Sequence, residues 1–429
     1  KKLYNYKYQK KKYTKQNWEE FTLAIGDIIV GIDIGASKVS LVVGEVNNFN
    51  QIEVICNTSK KSNGIQKGKI VDENSLADSI SSVVQDAEKE MNMKINSAYI
   101  TIPGKYVTIV QNSVTKEAKD KYSGISSRDV SSALMQAKDI DVPEGKQIID
   151  IVTNDFTLED GKVIEDPVGA FSSTFILNAQ IILADKDYIR IISNIFKKVD
   201  IDIDGMVPIT LAEKNLVLDE LDQKDYIMLL DIGAENTDIG VFDGDRFVYT
   251  NAIPIGGDNI TNDIELVLSI SHEEAEKLKR QYGLALKSYM DNDTEVVLNT
   301  VKDGNRIVKS SNIVEIIEAR IEQIFELVNR DISNEGIKQN INNVILTGQG
   351  ITSISKSDIV GKITLNIPVK MATGKIAGLI KPTYSTAYAL VRYIASRPFA
   401  KTVSSSLDIN SNEGFFKNLL EKIKEFFYS

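Results

Sequence analysis

The sequence predicts an α/β fold built from two related lobes, and three observations support this prediction. At 429 residues the chain is too long for one core and short for three independent ones. An apolar strand that ends in Asp-Ile-Gly occurs twice, at Asp33 and at Asp231, and a second strand follows each time. Strands and helices alternate after both openings, so the two halves are predicted to be duplicated units.

The first half opens with two apolar strands, IIVGIDIG from Ile28 and then SLVVGEV, which predict a hairpin around a glycine-containing turn. The region 96–177 is rich in strands and holds one helix, opened by Ser127. A helix is predicted over 74–94, because apolar residues recur on one face: Leu76, Ile80, Val83, Val84, Ala87 and Met91.

The second half begins after a helix, KDYIRIISNIFKKV, and continues with the strand YIMLLDIG. The dipeptide Asp243-Gly244 predicts the turn of the next hairpin. Two helices follow, one from about 259 and one opened by Ser271, where Glu274 three residues later predicts a capping box. A long amphipathic helix over 311–332 and the strand NVILTGQG complete this half.

The amino-terminal region, residues 1–27, differs from the rest, because seven Lys and four Tyr fall in its first fifteen positions without an apolar period. We expect a disordered, solvated extension here. A polybasic arm for anionic lipid is the alternative.

The carboxyl-terminal region predicts a linker and a helix. Composition shifts to Ser, Asn and Asp after Pro398, which predicts a flexible linker over 398–413. Residues 414–429 predict a helix of about 22 Å, too short to span a bilayer. We expect this helix to lie in the interface of a membrane, and packing on the body or on a partner protein is the alternative. Its apolar stripe consists of Phe415, Phe416, Leu419, Leu420, Ile423, Phe426 and Phe427.

Composition excludes several classes of protein. The net charge of −10 argues against a nucleic-acid-binding body, which needs clustered Lys and Arg. The single cysteine, Cys56, excludes an internal disulfide and a thiolate zinc cluster, and the single histidine, His272, is predicted only to start a helix. Neither a run of about eighteen apolar residues nor a secretory signal is visible, so we expect a protein of the cytoplasm or facing it.

The two Asp-Ile-Gly turns carry the chemistry that the sequence suggests. Backbone N–H groups in a tight glycine turn can converge on phosphate oxygens, and a side chain on the glycine would block that approach. The aspartates, Asp33 and Asp231, would repel phosphate directly but suit Mg²⁺ held through water. One such tripeptide is a weak signal, whereas two at equivalent places predict a nucleotide held between two lobes.

These turns resemble the two phosphate motifs of the actin, hexokinase and heat-shock ATPase superfamily, and LTGQG at 346–350 resembles its adenosine motif. The resemblance implies an actin-like fold with duplicated ribonuclease-H-like cores that binds ATP and Mg²⁺. Glu276 and Lys279 are implied to face the ribose and adenine, although an exposed salt bridge fits their spacing equally well. The implied binding residues are Asp33, Gly35, Ala36, Ser37, Lys38, Asp231, Gly233, Ala234, Asn236, Asp238, Gly256, Gly257, Glu276, Lys279, Gly348, Gln349 and Gly350.

Within the superfamily the chain resembles the bacterial cell-division proteins of the FtsA family, from Ile28 to about Arg397. The stretches IPIGGDNITNDI and PTYSTAYALV are the most specific. The resemblance implies an ATP-binding scaffold with at most weak ATPase activity that polymerises at the division site on the inner membrane face. It also implies partners: the tubulin-like division protein FtsZ, other copies of itself, membrane lipid and other division proteins, but no nucleic acid.

The same resemblance implies a division of the chain into parts. These are a basic extension at 1–27, a first lobe at 28–95 with 178–207, an inserted α+β subdomain at 96–177, a second lobe at 208–264 with 336–397, its outer subdomain at 265–335, the linker and the terminal helix. Ala234, Glu235 and Asn236 depart from the glycines and threonines usual in the family's second loop. We expect Glu235 to add negative charge near the phosphates and to disfavour fast hydrolysis.

Two other functions of the same superfamily remain open from the sequence. A small-molecule kinase would need a catalytic aspartate near its substrate, and Asp and Glu are too plentiful here to exclude one. An ATP-binding protein of pilus assembly is the other alternative, which the amphipathic end of the chain disfavours.

Overall fold

The structure is a computed structural model that describes residues 27–47, 51–119, 124–218, 225–300, 304–372 and 381–397. Most of the basic extension, and all of the predicted linker and terminal helix, lie outside the described residues. Within the described ranges, no helix is long and apolar enough to cross a membrane.

The described chain forms mixed strands and helices. The strands are β1 (Ile28–Ile34), β2 (Lys38–Val46), β3 (Ile52–Lys61), β4 (Ile65–Gln66), β5 (Lys69–Ile70), β6 (Ser97–Ile102), β7 (Val107–Glu117), β8 (Lys146–Leu158), β9 (Val163–Ile164), β10 (Thr174–Asp185), β11 (Asp202–Pro208), β12 (Tyr226–Ile232), β13 (Thr237–Asp243), β14 (Arg246–Ile253), β15 (Glu295–Thr300), β16 (Gly304–Lys309), β17 (Asn343–Thr347) and β18 (Val369–Met371). The α-helices are α1 (Glu73–Met91), α2 (Ser127–Ala137), α3 (Lys186–Lys198), α4 (Ile209–Val217), α5 (Gly257–Leu268), α6 (His272–Gln281), α7 (Ser310–Asn334), α8 (Ser357–Leu365) and α9 (Ser385–Ser396).

Two five-stranded sheets with equivalent topology form the centres of the two lobes. The first has the order β3-β2-β1-β6-β11 and the second the order β14-β13-β12-β17-β18. In each, the opening strand pairs antiparallel with its hairpin partner and parallel with a strand on its other side. The predicted duplication is therefore confirmed, and the fold is the actin-like one that the paired turns implied.

The registers place the two aspartates at equivalent points. Asp33 lies opposite Ser40 in the β1–β2 hairpin, and Asp231 lies opposite Asp238 in the β12–β13 hairpin. Both stand near the carboxyl ends of strands that also have parallel neighbours, which is the edge where open α/β sheets bind ligands.

The inserted subdomain has its own sheet, of order β7-β10-β8-β9, and its own core beneath α2. Its limits differ from the predicted 96–177. The strand β6 belongs to the first lobe's sheet, and β10 continues within the inserted sheet as far as Asp185. Local strand patterns could not show this, because sheet membership depends on pairing between distant segments.

The last described helix, α9, packs on the first lobe, although the sequence placed 336–397 in the second. Its apolar face joins the first lobe's core through Leu390 and Val391. Gly31 and Gly44 on the opposing strands make this possible, since a Cβ atom at either position would lie within 2.8 Å of Val391. The chain thus crosses between lobes twice, through α4 and again before α9.

Most of the other predicted elements are present with small shifts at their ends. The helix predicted from Ser127 is capped one residue earlier, by the Ser126 side chain, which accepts from the Asp129 backbone N–H. His272 begins α6, and the Ser271 hydroxyl caps that helix by accepting from the Glu274 N–H.

Candidate functional site

One cleft between the two lobes gathers nearly all of the residues that the sequence singled out. Of the predicted binding residues, only Gly256 does not line this cleft. Gly256 instead packs against the backbone of Ala234. The lining residues from the predicted set are Asp33, Gly35, Ala36, Ser37, Lys38, Asp231, Gly233, Ala234, Asn236, Asp238, Gly257, Glu276, Lys279, Gly348, Gln349 and Gly350.

The first loop, residues 33–38, is a tight turn between β1 and β2. The N–H of Gly35 donates to the carbonyl of Lys38 at 3.0 Å, which closes the turn. Asp33 accepts a hydrogen bond from the Thr101 hydroxyl at 2.9 Å. Burial raises the pKa of Asp33, while the Thr101 hydrogen bond and the nearby Lys38 charge oppose that shift.

Lys38 supplies positive charge between the two loops. Desolvation lowers its pKa, and the carboxylates of Asp33 and Asp231 act in the opposite direction. A cation between two facing aspartates suits the binding of an anionic group in the same space.

The second loop, residues 231–236, repeats this turn, with the Gly233 N–H donating to the Asn236 carbonyl at 2.8 Å. Burial, the charge of Asp238 and that of Asp33 raise the pKa of Asp231 to about 8. Burial likewise raises the pKa of Asp238 to about 7, although this carboxylate accepts from the Gly104 N–H at 2.8 Å. The loop region is therefore rich in carboxyl groups that resist ionisation without a cation.

Glycines let three backbone segments meet at the second loop. The Gly350 N–H donates to Ile232, and the Gly257 N–H donates to Gly233, at 2.8 and 2.9 Å. A Cβ atom at Gly350 would lie 2.2 Å from the Gly233 oxygen. The close approach of these segments therefore requires glycine at this position.

Glu276 and Lys279 both line the cleft and form an ion pair there, in which the lysine is buried and the glutamate is partly exposed. Lys279 is only 5% exposed, and its Nζ lies 2.6 Å from Glu276 Oε2. The same Nζ donates to the Thr261 hydroxyl and to the Gly257 carbonyl at 2.8 and 3.1 Å. The pair therefore lies in the cleft wall as an ion pair whose glutamate is partly exposed, and its role toward the ribose and adenine stays a prediction.

Sequence reasoning missed two groups at the cleft. Lys105 donates from Nζ to the Gly68 carbonyl at 2.6 Å. Glu213 of α4 is buried and accepts from the Thr386 hydroxyl at 2.8 Å, and burial, followed by the Asp231 charge, raises its pKa well above the usual value. No local pattern marks either residue, because their partners lie far away in the sequence.

Comparison with known proteins assigns the chain to a family. The family profile "Cell division protein FtsA" matches residues 228–389, and the profile "SHS2 domain inserted in FTSA" matches residues 104–183. The chain belongs to the FtsA family. The second match corresponds to the inserted subdomain, with limits close to those of its sheet.

Curated FtsA relatives are similar over most of the chain. "Cell division protein FtsA" of Pseudomonas aeruginosa is 26% identical over 375 residues, which cover 86% of this chain and 89% of the relative. The FtsA of Bacillus subtilis is 27% identical over 374 residues, covering 86% and 83%. Among solved structures, a "PilM-PilN type IV pilus biogenesis complex" chain has a TM-score of 0.54 at 15% identity, covering 86% of this chain and 98% of that one, and supports the fold alone.

Glu235 of the second loop lines the cleft beside Ala234 and Asn236. Across the described part of the chain, no group of three or more His, Cys, Asp or Glu side chains is arranged to hold a metal ion.

Proposed function

We propose that the protein is an ATP-binding, actin-like scaffold of bacterial cell division that assembles on the inner membrane face. One observation supports nucleotide binding: two equivalent glycine turns face each other across one cleft. The chain that holds them belongs to the FtsA family. Each turn places an aspartate and small residues in the cleft wall, Asp33 with Gly35 and Ala36 on one side and Asp231 with Gly233 and Ala234 on the other. Lys38 adds the positive charge that phosphate groups would need.

The residues present fit an ATP–Mg²⁺ complex. Asn236 lines the cleft, and its buried Oδ1 has no hydrogen-bond partner among the described residues. Mg²⁺ binds few protein ligands and keeps several waters, so Asp33 and Asp231 would hold it through water. The first and second loops would bind the phosphates, and Glu276 and Lys279 with residues 348–350 would hold the nucleoside. When bound, the ion would neutralise charge that the buried carboxyl groups otherwise repel.

Substitution of Asp231 tests this site. Asp231→Asn keeps the volume of the side chain but removes the charge, so binding of a fluorescent ATP analogue should lose its dependence on Mg²⁺ and weaken at least tenfold. Asp139→Asn, at an exposed position after α2, is the matched control and should bind like the wild type. Unchanged, Mg²⁺-dependent affinity in Asp231→Asn would place the nucleotide elsewhere.

Membrane attachment is proposed to come from residues 414–429, whose apolar stripe lies outside the described residues. The charges of Glu413 to Ser429 balance at three Lys and three Glu, so apolar contact must supply most of the affinity. One such helix would bind reversibly, whereas many copies joined in one polymer would bind firmly through effective concentration. A weak anchor on a self-assembling protein therefore makes attachment depend on assembly.

Sedimentation with liposomes tests the anchor. The full chain should pellet with vesicles more strongly with ATP than without, and a chain ending at Arg397 should stay in the supernatant. Ile423→Glu, in the apolar stripe, should reduce pelleting, and Asn418→Glu adds the same charge on the opposite side as a control. Equal pelleting by the full and shortened chains would overturn the proposal.

The partner is proposed to be FtsZ, bound through a peptide at the outer subdomain of the second lobe, 265–335. This part rests on family membership. A labelled peptide from the FtsZ carboxyl terminus should bind the protein in an anisotropy assay, and a scrambled peptide of the same composition should not. Equal binding of both peptides would contradict it.

A further inference from the structure

The β4–β5 hairpin of the first lobe reaches across the cleft and touches the second loop. We propose that this hairpin is a strap that closes the cleft over its ligand, and that Glu235 is the positioning residue that holds the strap shut. The proposal rests on the proposed function, because it assigns to the strap the retention of a nucleotide in that cleft.

The strap is a small unit with a defined pivot. It consists of two residue pairs, Ile65 with Ile70 and Gln66 with Lys69. The turn residues, Lys67 and Gly68, have φ of 49° and 66°, as a two-residue type I′ turn requires. The strap joins the lobe beside Gly64, whose carbonyl accepts from the Val71 N–H at 2.8 Å. Ile65 and Ile70 pack against the first lobe's core, and a hairpin of only two residue pairs can shift as one body on that surface.

Two hydrogen bonds hold the tip of the strap over the cleft. The Gly68 N–H donates to Glu235 Oε2 at 3.2 Å, and Lys105 Nζ donates to the Gly68 carbonyl at 2.6 Å. The first bond joins the two lobes, because Glu235 belongs to the second loop. Lys105 steadies the strap from the first lobe's side.

Close packing at the tip leaves no space for a side chain. A Cβ atom at Gly68 would lie 2.1 Å from Asn236 Oδ1. The strap therefore rests directly on the second loop. Ile65, Gly68 and Ile70 also line the cleft, so the strap forms part of its wall and must shift for a large ligand to pass on this side.

This arrangement gives a role to the residues that depart from the family's usual second loop. The sequence suggested that Glu235 would place negative charge against phosphates. In the structure one of its oxygens is engaged by the strap, and Asn236 supplies the surface on which Gly68 rests. Glu235 and Asn236 thus make part of the loop a contact between the two lobes.

Hydrogen exchange and nucleotide release together test the strap. Glu235→Gln keeps the shape of the side chain but removes the charge that strengthens the bond from Gly68. Amide exchange of 64–71 in the free protein should accelerate about tenfold, and a fluorescent ADP analogue should dissociate about tenfold faster. Glu273→Gln, an exposed substitution on α6, is the control and should change neither rate.

Gly68→Ala offers a second, steric test, because the added methyl group would collide with Asn236. Gly336→Ala places alanine at a similar φ of 68° with no atom within 4 Å of the new Cβ, and so controls for backbone strain. Gly68→Ala should release the analogue faster, whereas Gly336→Ala should not. Failure of Gly68→Ala to fold would leave Glu235→Gln as the deciding variant.

The outcomes separate the strap from the proposed function. Wild-type exchange and release rates in Glu235→Gln would overturn the strap, as would faster exchange with unchanged release. Absence of any nucleotide binding by the wild-type protein would instead overturn the proposed function, and with it the retention role. The exchange rates of the free protein would then still decide whether Glu235 holds the hairpin.

Discussion

Arg397 binds Asp150 through both ends of its guanidinium group, with N–O distances of 2.5 and 2.9 Å. The same group donates to the Ile151 carbonyl at 2.6 Å and lies over the ring of Tyr393. Asp150 belongs to β8 of the inserted subdomain, and Arg397 directly follows α9 of the first lobe. This ion pair therefore joins the end of α9 to the inserted subdomain.

Removal of one partner of this pair should be costly. Both side chains are largely buried, at 16% and 5% exposure, so Arg397→Met would leave the Asp150 charge unpaired and destabilise the protein by about 3–5 kcal/mol. The double variant Arg397→Met/Asp150→Asn should recover much of that loss, as measured by urea unfolding. Arg190→Met, in an exposed pair with Asp187, is the control and should cost less than about 0.5 kcal/mol.

A different result would change the interpretation of the pair. If Arg397→Met were as mild as Arg190→Met, water would have to reach Asp150 freely, and the end of the body would not be fixed on the inserted subdomain. A double variant no more stable than the single one would show that packing, and not the unpaired charge, causes the loss.

Sequence reasoning succeeded where the signal is local. The two Asp-Ile-Gly turns, their hairpins and the face of α1 follow from spacing within about twenty residues. It failed where a contact joins distant segments. The position of α9 depends on Gly31 and Gly44, more than 300 residues before Val391, and no periodicity in either segment shows that they meet.

The same limit applies to the candidate site. Its glycines and aspartates were found because their motifs are contiguous. Lys105, Glu213 and the tip of the strap at Gly68 were not found, since each acts on a partner in another element. Glu235 was recognised as unusual, but only the fold shows that it contacts the other lobe.

The stability of the ligand-free protein should fall as pH rises. The pKa values of Asp231 and Asp238 are raised to about 8 and about 7, from an ordinary 3.8. Between about pH 4 and pH 8 the folded state therefore holds protons that the unfolded chain has released, and the free energy of unfolding should fall steadily across this window. Below pH 4 and above pH 8 these two groups should not make the free energy of unfolding depend on pH.

Urea unfolding in EDTA at several pH values checks this prediction. Asp231→Asn should reduce the dependence of the free energy of unfolding on pH, because its amide does not ionise. The same variant should stabilise the ligand-free protein at pH 8. Asp139→Asn, at an exposed site, should keep the pH dependence of the wild-type protein's free energy of unfolding. A stability that rises with pH through this window in the wild type would contradict the burial of these carboxyl groups.

Gly348 should not tolerate alanine. Its φ is 94°, and a Cβ atom there would lie 2.2 Å from Asp231 Oδ1 and 2.4 Å from the Ile232 carbonyl oxygen. Backbone strain alone should cost about 1–2 kcal/mol, and the collision should add more, to a total above about 3 kcal/mol. Gly336→Ala also places alanine at a positive φ, of 68°, but without the collision, so in a comparison of urea midpoints it controls for the general effect of alanine in the left-handed region.

Equal midpoints for the two alanine variants would show that residues 348–350 can move away from Asp231. The second loop would then be less closely packed than its hydrogen bonds indicate. If Gly348→Ala fails to accumulate as folded protein while Gly336→Ala folds normally, the prediction holds in its strongest form.

Lys279 should stabilise the second lobe through its hydrogen bonds, independently of any ligand. Lys279→Met keeps most of the apolar stem but leaves Glu276 with Arg280 as its remaining cation and removes the hydrogen bonds to the Thr261 hydroxyl and the Gly257 carbonyl, at a cost of about 2–4 kcal/mol. Lys277→Met is the matched control on the same helix, since Lys277 is 69% exposed and 3.8 Å from its partner. It should cost less than about 0.5 kcal/mol in the same urea titration.

The loss of stability at acidic pH is a second test of the contact between Lys279 and Glu276. Burial would raise the pKa of Glu276, but its hydrogen bonds from Lys279, Thr261 and Arg280 lower that pKa to about 2. A depressed folded-state pKa gives stability that is present above the unfolded value near 4.5 and lost as pH falls toward 2. Lys279→Met should therefore weaken this acid-dependent loss, whereas Lys277→Met should retain it. Equal acid profiles in all three proteins would mean that Glu276 does not depend on Lys279.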